Sequence, residues 1–351
     1  MDAILSSGGR AQAMQLSVMI PARDEADAIG ACLESLLQQN DADFVLGRDW
    51  ELIVADDQST DATARIAAGY PGVTVLQVPP PPPGWTGKSH ALWYAAQQAQ
   101  GRWLLFTDAD TIHEAGDLRR AMHEGERYRV GMLTFSPRQL VRGFWQRALM
   151  PLIFGELAAK YPPRLVNNPD SPVAAANGQF ILIDHALYVR LGGHQAVHTS
   201  LLEDVDLARS AKRAHAGLRF RHAPDAVSAR MYRSNGAMLE GWRKNLALLF
   251  PDALQRGLTA FLKAALIFGL PLLAVYMYLT VVRAPVIIAV LLWWAWRVQL
   301  QLRNTTRSHF PLADVMVSPL ALPLFGWLLV DSWRLRQFRR PIPWKGRSYA
   351  G

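Results

Sequence analysis

Residues 264–282 form a run of 19 residues without one charged side chain. As a helix, such a run is about 30 Å long, the thickness of a bilayer's hydrocarbon core. It must therefore cross a membrane or be wrapped on every side by protein. Residues 284–296 add a second uncharged run after one arginine, and 315–330 a third, interrupted by Pro319 and Pro323. Buried core helices of a soluble domain are the alternative, but the chain ahead already holds enough strands and helices for its own core. Membrane segments are therefore expected over about 258–282, 284–302 and 311–331, with Trp293, Trp294 and Trp296 as an interfacial belt.

Charge follows the same division. The net charge of +8 hints at a nucleic-acid partner, but residues 1–250 carry 25 basic and 26 acidic side chains, and 251–351 carry 12 and 3. A nearly neutral domain thus precedes a tail of +9, and the partner expected is an anionic membrane surface, not nucleic acid. Arg303, Arg307 and the six basic residues of 334–347 all favour the cytoplasmic side. The first two segments satisfy this as a hairpin, and a third crossing would export the most basic stretch. A re-entrant or interfacial third segment, broken at its prolines, is expected, with three full spans as the alternative. The single cysteine, Cys32, excludes an intrachain disulfide and any multi-cysteine metal site. Residues 1–15 lack an apolar core for a signal peptide and are expected to be a flexible N-terminus, while 333–351 form a basic cytoplasmic tail.

Ahead of the tail, short apolar runs at 16–21, 51–55, 73–78 and 103–107 alternate with helix candidates at 24–39, 59–69 and 89–100. Further strands are expected at 180–184, 218–221 and 227–231, and helices at 146–159, 204–215 and 235–250. Alternation of this kind predicts an α/β domain over 16–250, a parallel sheet with helices on both faces. Ser59 is read as the cap of the second helix. The helix at 146–159 is read as a core helix, with an interfacial, lipid-guiding role as the alternative. Five prolines at 79–83 form a stiff spacer before Gly84.

Ligands of open α/β sheets bind beyond the carboxyl ends of the strands. Three acidic groups fall there: Asp56-Asp57 with Asp61 after the second strand, Asp108-Ala109-Asp110 after the fourth, and Glu203-Asp204 with Asp206 opening a later helix. Singly, each reads as a cap or turn former. Together they suit a hard divalent cation that shares its oxygen ligands with a phosphate. Asp204, crowded by like charge, suits a general base.

The stretches Ser17-Val18-Met19-Ile20-Pro21-Ala22-Arg23-Asp24-Glu25, Ala55-Asp56-Asp57-Gln58-Ser59-Thr60-Asp61, Asp108-Ala109-Asp110 and Glu203-Asp204 resemble, in order and spacing, the motifs of family 2 glycosyltransferases of the GT-A fold. Gly84-Trp85-Thr86-Gly87-Lys88, residues 173–179, Arg230-Met231-Tyr232-Arg233-Ser234 and Trp344-Lys345-Gly346-Arg347-Ser348-Tyr349 look similar to bacterial members associated with hopanoid and carotenoid pathways. The resemblance implies a GT-A, Rossmann-like domain followed by transmembrane helices in a bacterial inner membrane, multi-pass, with the catalytic domain cytoplasmic. It implies inverting transfer of a hexose from a nucleotide diphosphate, usually a UDP-sugar, to a lipid acceptor. Pro21, Ala22, Glu25, Asp56 and Asp57 would then meet the nucleotide base, and Lys88 the phosphates or base. Asp108 would lie near the ribose and diphosphate, and with Asp110 would hold Mg²⁺ or Mn²⁺. Asp204 would be the base, with Glu203, Asn177, Gly178 and Gln179 on the acceptor side. One departure stands out: processive relatives carry Q/R-x-x-R-W, whereas here Trp242 precedes Arg243. Arg243 is carried over as a diphosphate contact, with Arg230 and Arg233 as rivals.

Other motifs weigh less. Gly87-Lys88-Ser89 ends like a phosphate-binding loop, but Pro82 stands where its first glycine is required. Asn304-Thr305-Thr306 is a sequon only formally. His113 and His222 are read as solvated or capping residues before metal ligands. A non-catalytic nucleotide-sugar-binding membrane scaffold is the alternative function, and a nucleotidyltransferase lacks its glycine-rich loop after the first strand.

Overall fold

The computed structural model describes residues 14–280 and 283–338, together with the backbone of Ile342–Trp344 and Arg347–Tyr349, which pair antiparallel. Residues 1–13 of the expected N-terminus, and residues 339–341, 345–346, 350 and 351 of the basic tail, lie outside them. The chain forms two compact units, 1–137 with 164–229, and 138–163 with 230–351. The helices expected at 146–159 and 235–250 thus group with the membrane segments.

In the first unit, strands β1 (Leu16–Ala22), β2 (Trp50–Asp56), β3 (Val73–Gln77) and β4 (Trp103–Phe106) lie in parallel, in the order β3-β2-β1-β4. β1 and β4 bury nearly every residue on both faces, as their unbroken apolar runs require. Beyond β4 the sheet continues through Ile181–Asp184, Met132–Ser136 and Leu218–His222. Ile181–Asp184 runs antiparallel to both of its neighbours, so the sheet is mixed and not the all-parallel one expected. Met132–Ser136 and the helix Asp117–Arg127 were not foreseen; the helix carries three arginines and three acidic residues and buries only one edge.

The loops after β1 and β2 are clasped together. Asp57 N–H donates to the Ala22 carbonyl at 2.8 Å, and Arg23 donates to the Asp57 carbonyl at 2.8 Å. Asp24, at φ 52°, accepts from Thr60 N–H and donates its own N–H to Ser59 Oγ. Ser59 therefore ties one loop to the other instead of capping the helix, which begins at Thr63.

Beneath the turn after β4 lies a buried polar chain. The Cys32 thiol contacts Thr111 Oγ1 at 3.6 Å, Thr111 and Thr107 hydroxyls meet at 3.0 Å, and both reach His113 Nε2. His113 Nδ1 faces Asp117 at 2.8 Å, with both side chains fully buried. His113 is therefore neither solvated nor turned to a ligand.

In the second unit, three helical runs are long and apolar enough to cross a membrane: Ala253–Leu279, Ala284–Ser308 and Leu312–Gln337. Ala284–Thr305 buries only Gln301 and Thr305, leaving Leu292, Trp293 and Trp296 exposed. A core helix of a soluble domain does not present such a surface, and lipid is its natural solvent. The third run, 56% buried over its most apolar window, packs within the protein. At its prolines the run changes from an α-helix (Leu312–Val317) to a 3-10 turn (Ser318–Ala321) and then to a new α-helix (Leu322–Gln337), with Pro319 and Pro323 each in the first turn of its piece, where a missing N–H costs little.

Contacts along the third run tie it to the rest of the unit. Asp314 pairs with Arg147 at 2.6 Å, Gly326 meets Gly257, Asp331 pairs with Arg243 at 2.6 Å, and Ser332 Oγ accepts from Ala247 N–H. Gly257 is obligatory, since a Cβ there would stand 2.9 Å from the Gly326 carbonyl, and Gly326 is tightly fitted, a Cβ there standing 3.1 Å from the Gly257 carbonyl, the small-residue contact of close helix pairs.

Asp117→Ala strands the buried His113 Nδ1–H and is expected to destabilise the first unit by about 1–3 kcal/mol. Thermal denaturation of the detergent-purified protein checks this, and an unchanged midpoint would show that the pair contributes no stability.

Candidate functional site

The three acidic groups stand at strand ends or a helix start. Asp56 closes β2 in register with Ala22 of β1, and both are buried. Asp56 Oδ1 is buried without a hydrogen-bond partner, an acceptor left open in the loop region that also holds Pro21, Ala22, Glu25 and Asp57. Glu25 donates its backbone N–H to Thr63 Oγ1. Asp61 is a clamp: its carboxylate accepts from Ala26 N–H and from Thr63. Asp206 likewise serves its own helix, accepting from Ser200 Oγ and pairing with Arg209.

Lys88 joins the other two groups. Its helix, Gly87–Ala96, is capped by Thr86, whose hydroxyl accepts from Ser89 N–H. The Lys88 ammonium lies 2.8 Å from Asp108 Oδ1 and 3.3 Å from Glu203 Oε1, with its side chain about one-third exposed. Burial alone would lower its pKa, but the carboxylates of Asp108 and Glu203 outweigh this and hold it above the ordinary lysine value.

Asp204 opens the helix Glu203–Arg213 and accepts from Gly178 N–H at 2.9 Å and from Val205 N–H at 2.8 Å. Burial, then the neighbouring Glu203 charge, push its carboxyl up to about 7 against the opposing pull of Lys88 and the two N–H donors. Gly178 leaves room for the ammonium: a Cβ here would stand 2.9 Å from Lys88 Nζ, which would have to move aside, and at an ordinary 3.6 Å from Asp204 Oδ2. Asn177 and Gln179 hold the loop itself: Asn177 Oδ1 accepts from Gln179 N–H, Asn177 N–H donates to Thr134 Oγ1, and the Gln179 carbonyl accepts from Thr107.

Lys88, Asp108, Glu203, Asp204 and Gly178 are thus brought together from four separate stretches of chain. Asp110, two residues beyond Asp108, follows the same turn and is part-buried. Among the described residues no three His, Cys, Asp or Glu side chains come together as a group that could hold a metal ion. Hard carboxylate oxygens in an open arrangement fit a divalent cation that completes its shell with phosphate. Arg243 belongs to the second unit, where it pairs with Asp331 and lies 6.0 Å from the Trp327 ring. Arg230, its rival, is part-buried there.

Two features escaped the sequence reading. His194 is buried beside Tyr188, whose hydroxyl lies 2.9 Å from its Nδ1. Burial, assisted by Lys88, pushes this imidazole down to about 3, so it stays neutral next to the ammonium. Trp85 forms an aromatic cluster with His90, Trp93 and His198, centroids 5.0–5.5 Å from its own ring, at the foot of the Lys88 helix. Only the Gly84–Lys88 motif itself signalled this cluster.

Residues 17–188 match the family model described as glycosyl transferase family 2. Over 352 aligned residues the chain is 26% identical to the 4,4'-diaponeurosporenoate glycosyltransferase of Staphylococcus aureus (strain USA300), covering 95% of this chain and 88% of that protein. Among solved structures, the mannosyltransferase PcManGT from Pyrobaculum calidifontis, in complex with GDP-Man and Mn²⁺, shares the fold at a TM-score of 0.51 and 17% identity, over 94% of this chain and 88% of that one. TarS 1–349 of S. aureus, in complex with UDP-GlcNAc, aligns over 96% of this chain and 97% of that one with 17% identity and a TM-score of 0.45.

Glu203 raises the Asp204 pKa and Lys88 lowers it, so their removal has opposite signs. Glu203→Gln is expected to lower the Asp204 pKa and Lys88→Met to raise it, shifts read in the acid limb of a pH–turnover profile. Shifts in the same direction would show that the limb does not report Asp204.

Proposed function

Residues 17–188 form a glycosyl transferase family 2 domain, and from that premise we propose that the chain is a membrane-bound, inverting hexosyltransferase that moves sugar from a nucleotide diphosphate, a UDP-sugar, to a lipid acceptor. The observation that carries this reading is Asp204, a carboxyl with a pKa near 7 beside the Lys88–Asp108 ion pair. A group of that pKa is half ionised at neutral pH and accepts a proton from a hydroxyl as its oxygen bonds to the anomeric carbon. The attack comes from the face opposite the diphosphate, whose bond to that carbon breaks.

The residues of this chain divide the remaining work. The open Asp56 Oδ1 is suited to a nucleobase N–H, with Pro21, Ala22, Glu25 and Asp57 around the base. Lys88 offsets phosphate charge. Asp108 and Asp110 would hold Mg²⁺ or Mn²⁺, which when bound supplies positive charge against the departing diphosphate. Glu203, Asn177, Gly178 and Gln179 shape the acceptor side.

The acceptor class follows from the membrane unit and from the S. aureus relative, named for a polyene carboxylate. We place hopanoid, carotenoid and other polyprenoid or glycolipid alcohols and acids in this class. A lipid acid is already ionised at neutral pH and makes a smaller demand on Asp204 than an alcohol does. The membrane proposed is a bacterial inner membrane, crossed twice, with the catalytic unit cytoplasmic. The third helical run, which meets the entry end of the first at Gly257, supports a re-entrant or interfacial path that returns the basic tail to the same side.

The test is a nucleotide-sugar screen of the detergent-purified protein with Mn²⁺ or Mg²⁺, with and without membrane lipid extract, the product identified by mass spectrometry. Asp204→Asn is expected to lower turnover on a lipid alcohol by about 100-fold or more, and EDTA to abolish it. Wild-type turnover in Asp204→Asn would remove the base, and indifference to EDTA would remove the metal. UDP binding without turnover of any donor would favour the non-catalytic scaffold.

A further inference from the structure

A cavity of about 340 Å³ lies wholly within the second unit. Arg256 and Lys263 of the helix Ala253–Leu279 line it, with Glu156 of Gly143–Lys160, and Asn304 and Arg307 at the end of the second apolar helix. Three cations therefore face one carboxylate. Glu156 is engaged, 2.5 Å from Arg256 Nη1 and 3.8 Å from Lys263 Nζ. Arg256 also pairs with Asp252 at 2.9 Å. Lys263 is held only at the limit of ion-pair distance, and Arg307 is exposed and makes no ion pair among the described residues. The wall thus keeps positive charge that its own carboxylate does not neutralise.

Depth identifies the ligand. Ala253–Leu279 has 27 residues, about 40 Å of helix against about 30 Å of hydrocarbon. Lys263 is the last charge before the uncharged stretch begins, so its turn and those before it stand at the level of the headgroups. Basic pockets between membrane helices at that level take lipid phosphates.

We propose that this cavity binds the phosphate of an anionic lipid headgroup drawn from the surrounding bilayer. Lys263 and Arg307 hold the phosphate oxygens, and the Asn304 amide supplies a neutral donor. Glu156, gripped by Arg256, forms the fixed wall. The site is independent of the sugar-transfer reading and stands or falls without it.

Native mass spectrometry of the full-length protein in detergent tests this with phosphatidylglycerol, phosphatidylcholine and inorganic phosphate as probes. One phosphatidylglycerol per chain is expected to be retained in preference to phosphatidylcholine. K263Q/R307Q is expected to weaken retention by about tenfold or more. R307Q alone, a change at an exposed unpaired side chain that does not threaten folding, should weaken it severalfold. R297Q/R303Q removes the same charge outside the cavity and should leave retention unchanged. Thermal midpoints establish that each variant is folded. Equal retention by wild type and R307Q, or equal loss in both double variants, would overturn the site. Displacement of the lipid by millimolar inorganic phosphate would overturn its lipid source, and the absence of displacement supports it.

Discussion

The catalytic unit depends on one ammonium group among carboxylates. Without Lys88, the charges of Asp108, Glu203 and Asp204 would meet at a shared site with only backbone N–H groups to answer them. With it, Asp108 and Glu203 have a cationic partner at 2.8 and 3.3 Å, while burial pushes the Asp204 carboxyl up to about 7. The environment thus separates acids of one type into different roles. Three structural details protect the arrangement. Thr86 caps the helix that carries Lys88, Gly178 leaves room for its head, and buried His194 stays neutral and adds no competing charge.

Much of this was legible in the sequence because it depends on local pattern. The runs that became β1, β2 and β4 are short and buried on both faces, a pattern that composition alone reveals. The acidic groups were visible because they follow those runs directly. The reversal of Ile181–Asp184 was not legible, since strand direction depends on where the chain has travelled in between. Here residues 138–163 leave the first unit entirely before the chain returns. Ser59 failed as a cap because a tertiary partner, Asp24, claimed its hydroxyl. His194 carried no signal at all: its role comes from burial, which no spacing announces.

The membrane unit shows the same division between composition and context. Length and apolarity identify three helical runs, yet they do not distinguish a helix that faces lipid from one that packs inside protein. The near absence of burial along Ala284–Thr305 and the glycine contact between Gly257 and Gly326 make that distinction. The prolines of the third run mark where one helical piece gives way to the next, each in the first turn of the piece it opens.

The polar chain under the turn after β4 has a practical consequence for spectroscopy. Its first member is the protein's single cysteine, fully buried, with a thiol pushed by burial up to about 12. Thiolate is the reactive form, and at neutral pH this sulfur supplies almost none of it. The natural chain is therefore nearly silent toward maleimides and methanethiosulfonates while folded. A cysteine introduced at an exposed position would be the dominant label site without prior removal of Cys32. Spin or fluorophore pairs placed on the two units would then measure their separation and motion in a bilayer, with the contacts beneath the active turn left intact.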